Sequence, residues 1–115
     1  MTQHLFVYGT LAPGRANAHM LADVPGVWEP ATVRGTLYPE GWGAALGYPG
    51  LVLAEDGDEV QGLVFSSDVL DRHWPRLDEF EGDGYRRVVT DARLHDGTQR
   101  AVHVYALSEP PAVEE

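Results

Sequence analysis

Apolar residues in this chain come in short runs, and each run is cut off by glycine, proline or an acidic turn. No run approaches the ~20 residues of a membrane span. Short runs rich in β-branched and aromatic residues favour strands. The apolar surface must then be buried in a sheet with short connections. The runs fall at 4–8, 31–38, 51–54, 60–65, 85–94 and 99–107. The first, HLFVY, is apolar on both faces and reads as a fully buried strand. Pro25, Gly26 and Pro30 mark 24–30 as a loop. EDGDE at 55–59 reads as a hairpin turn, and HDGT at 95–98 as another.

Two stretches read as helical. Asn17 is the expected cap of a short helix through Ala22. Ser66-Ser67-Asp68 reads as a second helix start, with Ser67 as cap. That helix runs to about Glu81, Pro75 opens a new segment within it, and Gly82 and Gly84 end it. Residues 39–50 hold four glycines and two prolines and read as a long irregular pocket wall or lid. With 115 residues the chain suffices for one domain. The expected fold is α+β: a small mixed, largely antiparallel β-barrel with two or three short helices. It would span 1–108, followed by a frayed acidic tail at 109–115.

Composition removes several chemistries. The chain has no cysteine, so disulfides, thiolate nucleophiles and cysteine metal sites are excluded. All eight basic residues are arginine, which excludes a Schiff-base lysine and a lysine general base. Net charge is -10, which disfavours nucleic acid and tolerates an amine-bearing small molecule. The histidines at 4, 19, 73, 95 and 103 show no metal-ligand spacing. The three serines form no GxSxG, so a Ser-His-Asp hydrolase is disfavoured. No leader or membrane segment is read, and a cytoplasmic location is expected.

Candidate chemistry lies in two places. In LDEFEGDGYRR, residues 77–87, four acids crowd together: Asp78, Glu79, Glu81 and Asp83. An α-helix advances ~100° per residue. With Leu77 at zero, Trp74 falls at ~60°, Phe80 at ~300° and Glu81 at ~40°, while Asp78 lies at ~100° and Glu79 at ~200°. Glu81 therefore shares the apolar arc, Asp78 sits at its edge, and Glu79 and Asp83 belong to water. A carboxylate among apolar groups has its charged form disfavoured, which suits a general acid/base. The bland alternatives are a helix that ends before Glu81, or pairing of Glu81 with Arg86 or Arg87. The second place is FVYGTLAPGR, residues 6–15. A strand running into a glycine turn exposes backbone N–H groups that can hold an anion. It is not a nucleotide P-loop, because Arg15 and Ala16 replace the required Lys and Ser/Thr.

FVYGTL, followed some seventy residues later by LDEFEGDGYRR, resembles the gamma-glutamylcyclotransferase-like family, closest to its gamma-glutamylamine cyclotransferase branch. YGTL matches the family's first motif. LDEFEG with Tyr85 and Arg87 matches the second, LDxFEG-x-x-Y-x-R. The resemblance implies a small mixed barrel and a substrate pocket lined by Tyr8, Gly9, Thr10, Leu11 and Tyr85. It also implies a catalytic glutamate at Glu81, the residue that helical phase singles out independently. The implied reaction is ring closure of a gamma-glutamyl amide to 5-oxoproline and a free amine, with no metal or cofactor. The other expectation left open is a non-catalytic small-ligand binding domain on the same barrel.

Overall fold

The strand that the sequence marks as buried on both faces lies in the middle of the sheet. The computed structural model describes residues 2–8, 19–22, 24–38, 50–81 and 85–107. Its elements are β1 Gln3–Val7, α1 His19–Ala22, β2 Val27–Tyr38, β3 Gly50–Leu53, β4 Asp58–Ser67, a 3-10 turn Leu70–Arg72, α2 Trp74–Glu81, β5 Tyr85–Leu94 and β6 Gln99–Leu107. β1 pairs antiparallel with β4 and parallel with β6. The full order is β3-β2-β4-β1-β6-β5. β2 also meets β5 through Ala31↔Leu94 and Thr32↔Arg93, which closes the ring. The result is a closed, mixed five-stranded barrel with β3 added to β2, as the α+β reading expects.

Side-chain alternation divides the core in two. Phe6, Val33, Val64, Val102 and Val104 fill the barrel interior with Leu51 and Leu94. Leu5, Val7, Phe65 and Tyr105 point the other way, where Leu21, Leu70, Trp74 and Leu77 pack on them. β1 thus supplies both cores, which is why it reads as continuously apolar. α2 covers the outer core with Trp74 and Leu77, both buried.

The structure alters several local expectations. Residues 27–30 are strand, not loop, and Pro30 pairs with Leu63 of β4. Among the described residues the second edge of β2 is unpaired at 27–30, and there a missing N–H costs nothing. EDGDE does not join hairpin partners. β3 and β4 both run antiparallel to β2, and Gly35 is the register partner of both Leu53 and Asp58. A Cβ on Gly35 would lie 2.3 Å from the Val52 carbonyl oxygen, so the crossing needs glycine. Ser67 ends β4 instead of opening a helix. Its buried hydroxyl accepts from the Val69 N–H at 3.2 Å, and helical geometry starts only at Leu70. Pro75 sits in the first turn of α2, as expected. Asn17, residues 39–49, Gly82, Gly84 and the 109–115 tail lie outside the described residues.

Candidate functional site

The two motifs enter the site from different elements. Tyr8 follows directly on β1, half-buried, with its ring 6.3 Å from that of Phe6. Gly9, Thr10 and Leu11, the rest of the first motif, lie outside the described residues. Glu81 is the last residue of α2, and its side chain lies outside them too. Tyr85 opens β5 and is partly buried against the outer core.

Asp78 is the acid in this motif whose partners are defined. Arg87 grips it with both arms, Nε to Oδ1 at 3.0 Å and Nη2 to Oδ2 at 3.2 Å. The Tyr105 hydroxyl donates to the same Oδ1 at 2.6 Å. Burial pushes the Asp78 carboxyl up, but the Arg87 and Tyr105 hydrogen bonds and the charges of Arg87 and His103 outweigh it, and the net direction is down. The Arg87 guanidinium lies 4.3 Å from the centre of the Trp74 ring. Trp74 in turn packs on His103 at 4.8 Å and donates its indole N–H to Gln3 Oε1 at 2.9 Å. The Tyr8 hydroxyl donates to the Tyr105 carbonyl at 2.5 Å. Tyr105 thereby links the strand of the first motif to the helix of the second.

Sequence reasoning set the helical face slightly wrong. Phe80 is 39% exposed, outside the packed arc, whereas Asp78 turns toward β5 and β6. The buried positions are Leu77, at ~0°, and Trp74, at ~60°, with Asp78 at the edge; the backbone phase of position 81, ~40°, falls between the two. Arg87, one of the two arginines that the sequence offered to Glu81, pairs with Asp78. Trp74 was placed on the apolar arc and Asp78 at its edge, but neither they nor Tyr105 were given a part in the site from sequence. The available signal was an arginine nine residues beyond Asp78 in the sequence, after Gly82 and Gly84.

Two histidines lie on neighbouring strands, His4 on β1 and His103 on β6. His4 Nδ1 is 2.7 Å from Ser66 Oγ. Burial and the nearby Arg100 lower its pKa, against the opposing pull of Glu29. Burial and Arg87 lower that of His103, with Asp78 opposing and His4 adding. An unfolded chain takes up these protons first as pH falls through the ordinary value of 6.5. Folding stability should therefore decline as pH drops below about 6.5. Denaturant melts between about pH 5 and 8 should show this, and a His4→Gln/His103→Gln variant should flatten the slope. A flat wild-type profile would contradict it.

Two surface grooves lie away from this network. One of about 500 Å³ is lined by Thr32, Gln61, Arg93 and His95, the other of about 400 Å³ by Arg34, Glu55, Thr90 and Asp91. Neither holds a residue of the two motifs. Among the described residues no group of His, Asp or Glu is arranged to hold a metal ion, and no helix is long and apolar enough to cross a membrane.

Comparison with solved structures places the barrel among known ones. YkqA from Bacillus subtilis is 28% identical, with a TM-score of 0.71 over 94% of this chain and 36% of that one. The chain thus spans about a third of YkqA's length. An aig2-like protein from Mus musculus is 23% identical, with a TM-score of 0.72 over 93% of this chain and 78% of that one. A structure described as gamma-glutamyl cyclotransferase is 17% identical, with a TM-score of 0.68 over 94% of this chain and 68% of that one. At the identities of these last two, the likeness is one of fold. A search of curated proteins found no match. The family model described as gamma-glutamyl cyclotransferase, AIG2-like, matches residues 5–115, and the chain belongs to that family.

Proposed function

We propose that the protein is a cyclotransferase that opens gamma-glutamyl amides, with gamma-glutamylamines as the nearest substrate class. The reading rests on family membership and on one structural observation: the strand end that leads into YGTL and the helix that ends at Glu81 are joined through a single residue, Tyr105. The backbone amides of Gly9, Thr10 and Leu11 would take the substrate's alpha-carboxylate. Tyr8 and Tyr85 would line the pocket around the glutamyl chain. Glu81 accepts a proton from the alpha-ammonium, and the freed nitrogen attacks the gamma-carbonyl of the same molecule. The bond from that carbonyl carbon to the amine breaks, and Glu81 returns its proton to the departing nitrogen. Substrate and products balance without water: 5-oxoproline and a free amine. Because ring closure is intramolecular, the protein's task is to hold one conformer and move one proton. No cofactor is required.

The test is release of 5-oxoproline from a panel of gamma-glutamylamines and gamma-glutamyl peptides. The same assay probes the carboxylate contact. Replacing the alpha-carboxylate by an amide removes a charge-assisted hydrogen bond and should cost about 1.5–3 kcal/mol in kcat/KM. Equal turnover of amidated and free substrate would remove the YGTL amides from this role. Saturable binding of the panel with no product would leave a binding domain instead of an enzyme.

A further inference from the structure

Asp78 is held from two adjacent strands at once. Its partners Arg87, on β5, and Tyr105, on β6, are cross-strand register partners. β6 lies between β1 and β5 in the sheet, so both grips come from its interior and not from a loop. The Tyr105 ring is 5% exposed and packed in the outer core with Trp74 and Leu77, which leaves its hydroxyl little freedom. The same residue's carbonyl accepts from Tyr8, 97 residues earlier in the chain. Asp78 itself is 45% exposed, so the pair adds little to stability. What a buried tyrosine gains by reaching a half-exposed carboxylate is geometry.

We infer that Tyr105 is a positioning residue. Its carbonyl holds Tyr8 at the end of β1, its hydroxyl fixes α2 through Asp78, and together they set the distance between Tyr8 and the backbone at position 81, three residues beyond Asp78. The inference rests on the proposed roles of the YGTL loop and of Glu81. Proton transfer demands a heavy-atom reach of about 2.6–3.2 Å, and a misplacement of about 1 Å can cost roughly 10²-fold.

Tyr105→Phe keeps the ring and the carbonyl and removes only the hydroxyl. In the intact protein, kcat for a gamma-glutamylamine should fall roughly 10- to 100-fold. KM should change little, because Tyr8 keeps its acceptor. Hydrogen exchange should quicken in the last turn of α2, residues 78–81, and not in β2 or β4. Wild-type kcat in Tyr105→Phe would overturn the inference. So would exchange that quickens evenly over the whole chain, which would make Tyr105 a stability residue only. If wild-type protein releases no 5-oxoproline from any of the panel, the reaction assignment falls and exchange alone decides. Local quickening at 78–81 then still supports Tyr105 as the residue that positions α2, and unchanged exchange there overturns it.

Discussion

Glu81→Gln should lower kcat/KM for gamma-glutamyl amides by roughly 10² to 10⁴, the range for a lost general acid/base. The substitution preserves size and removes the carboxylate proposed to accept and return the proton. Stability should hold. Of the two arginines a structural Glu81 could pair with, Arg86 and Arg87, the second is already engaged by both oxygens of Asp78. Glu79→Gln, on the exposed side, is the proper control and should be nearly silent. Asp78→Asn does not serve as one, because it breaks the fork to Arg87. A Glu81→Gln enzyme with most of its activity would end the assignment. So would one that melts far below wild type while Glu79→Gln does not.

Why that helix face was only partly legible has a physical reason. Period fixes which residues of α2 share a side, but not where the covered side is centred. Leu77 and Trp74 anchor it, and the sequence added Phe80, an aromatic, over Asp78, an acid. The structure leaves Phe80 exposed and holds Asp78, at the edge of that side, by hydrogen bonds from Arg87 on β5 and Tyr105 on β6. Those partners come from strand pairing, which has no local signal. The β5–β6 hairpin was legible to the residue, since its turn carries its own chemistry. Asp96 accepts from the Thr98 N–H and hydroxyl, and Gly97 adopts φ +89°. The EDGDE turn looked equivalent, yet its flanking strands both pair with β2. Proline misled in the same way at Pro30, where β2 needs no donor on that side. The barrel was legible because β1 is apolar on both faces; Tyr105 was not, because Tyr8 and Asp78 lie 97 and 27 residues away from it.

Trp74→Ala should be the most damaging substitution to stability on this face, at about 3–5 kcal/mol, the usual cost of a core Trp or Phe truncated to Ala. That is a large part of the 5–15 kcal/mol that holds a typical domain of this kind together. The ring is 7% exposed and carries three contacts besides its packing: the Arg87 guanidinium, the His103 ring and the hydrogen bond to Gln3. Trp74→Phe separates packing from these. It keeps an aromatic face for Arg87 and His103 and loses the indole N–H, so about 1–2 kcal/mol is expected. Val89→Ala, at a 64% exposed site on β5, should cost next to nothing. Chemical denaturation of the three variants gives the order directly. Trp74→Ala should also soften the acid-side loss of stability, because His103 loses the ring that buries it and its proton affinity moves back toward that of a free histidine. If Trp74→Ala melted with wild type, α2 would not be anchored by its first turn. Leu77, one turn before position 81, would then have to hold the helix alone.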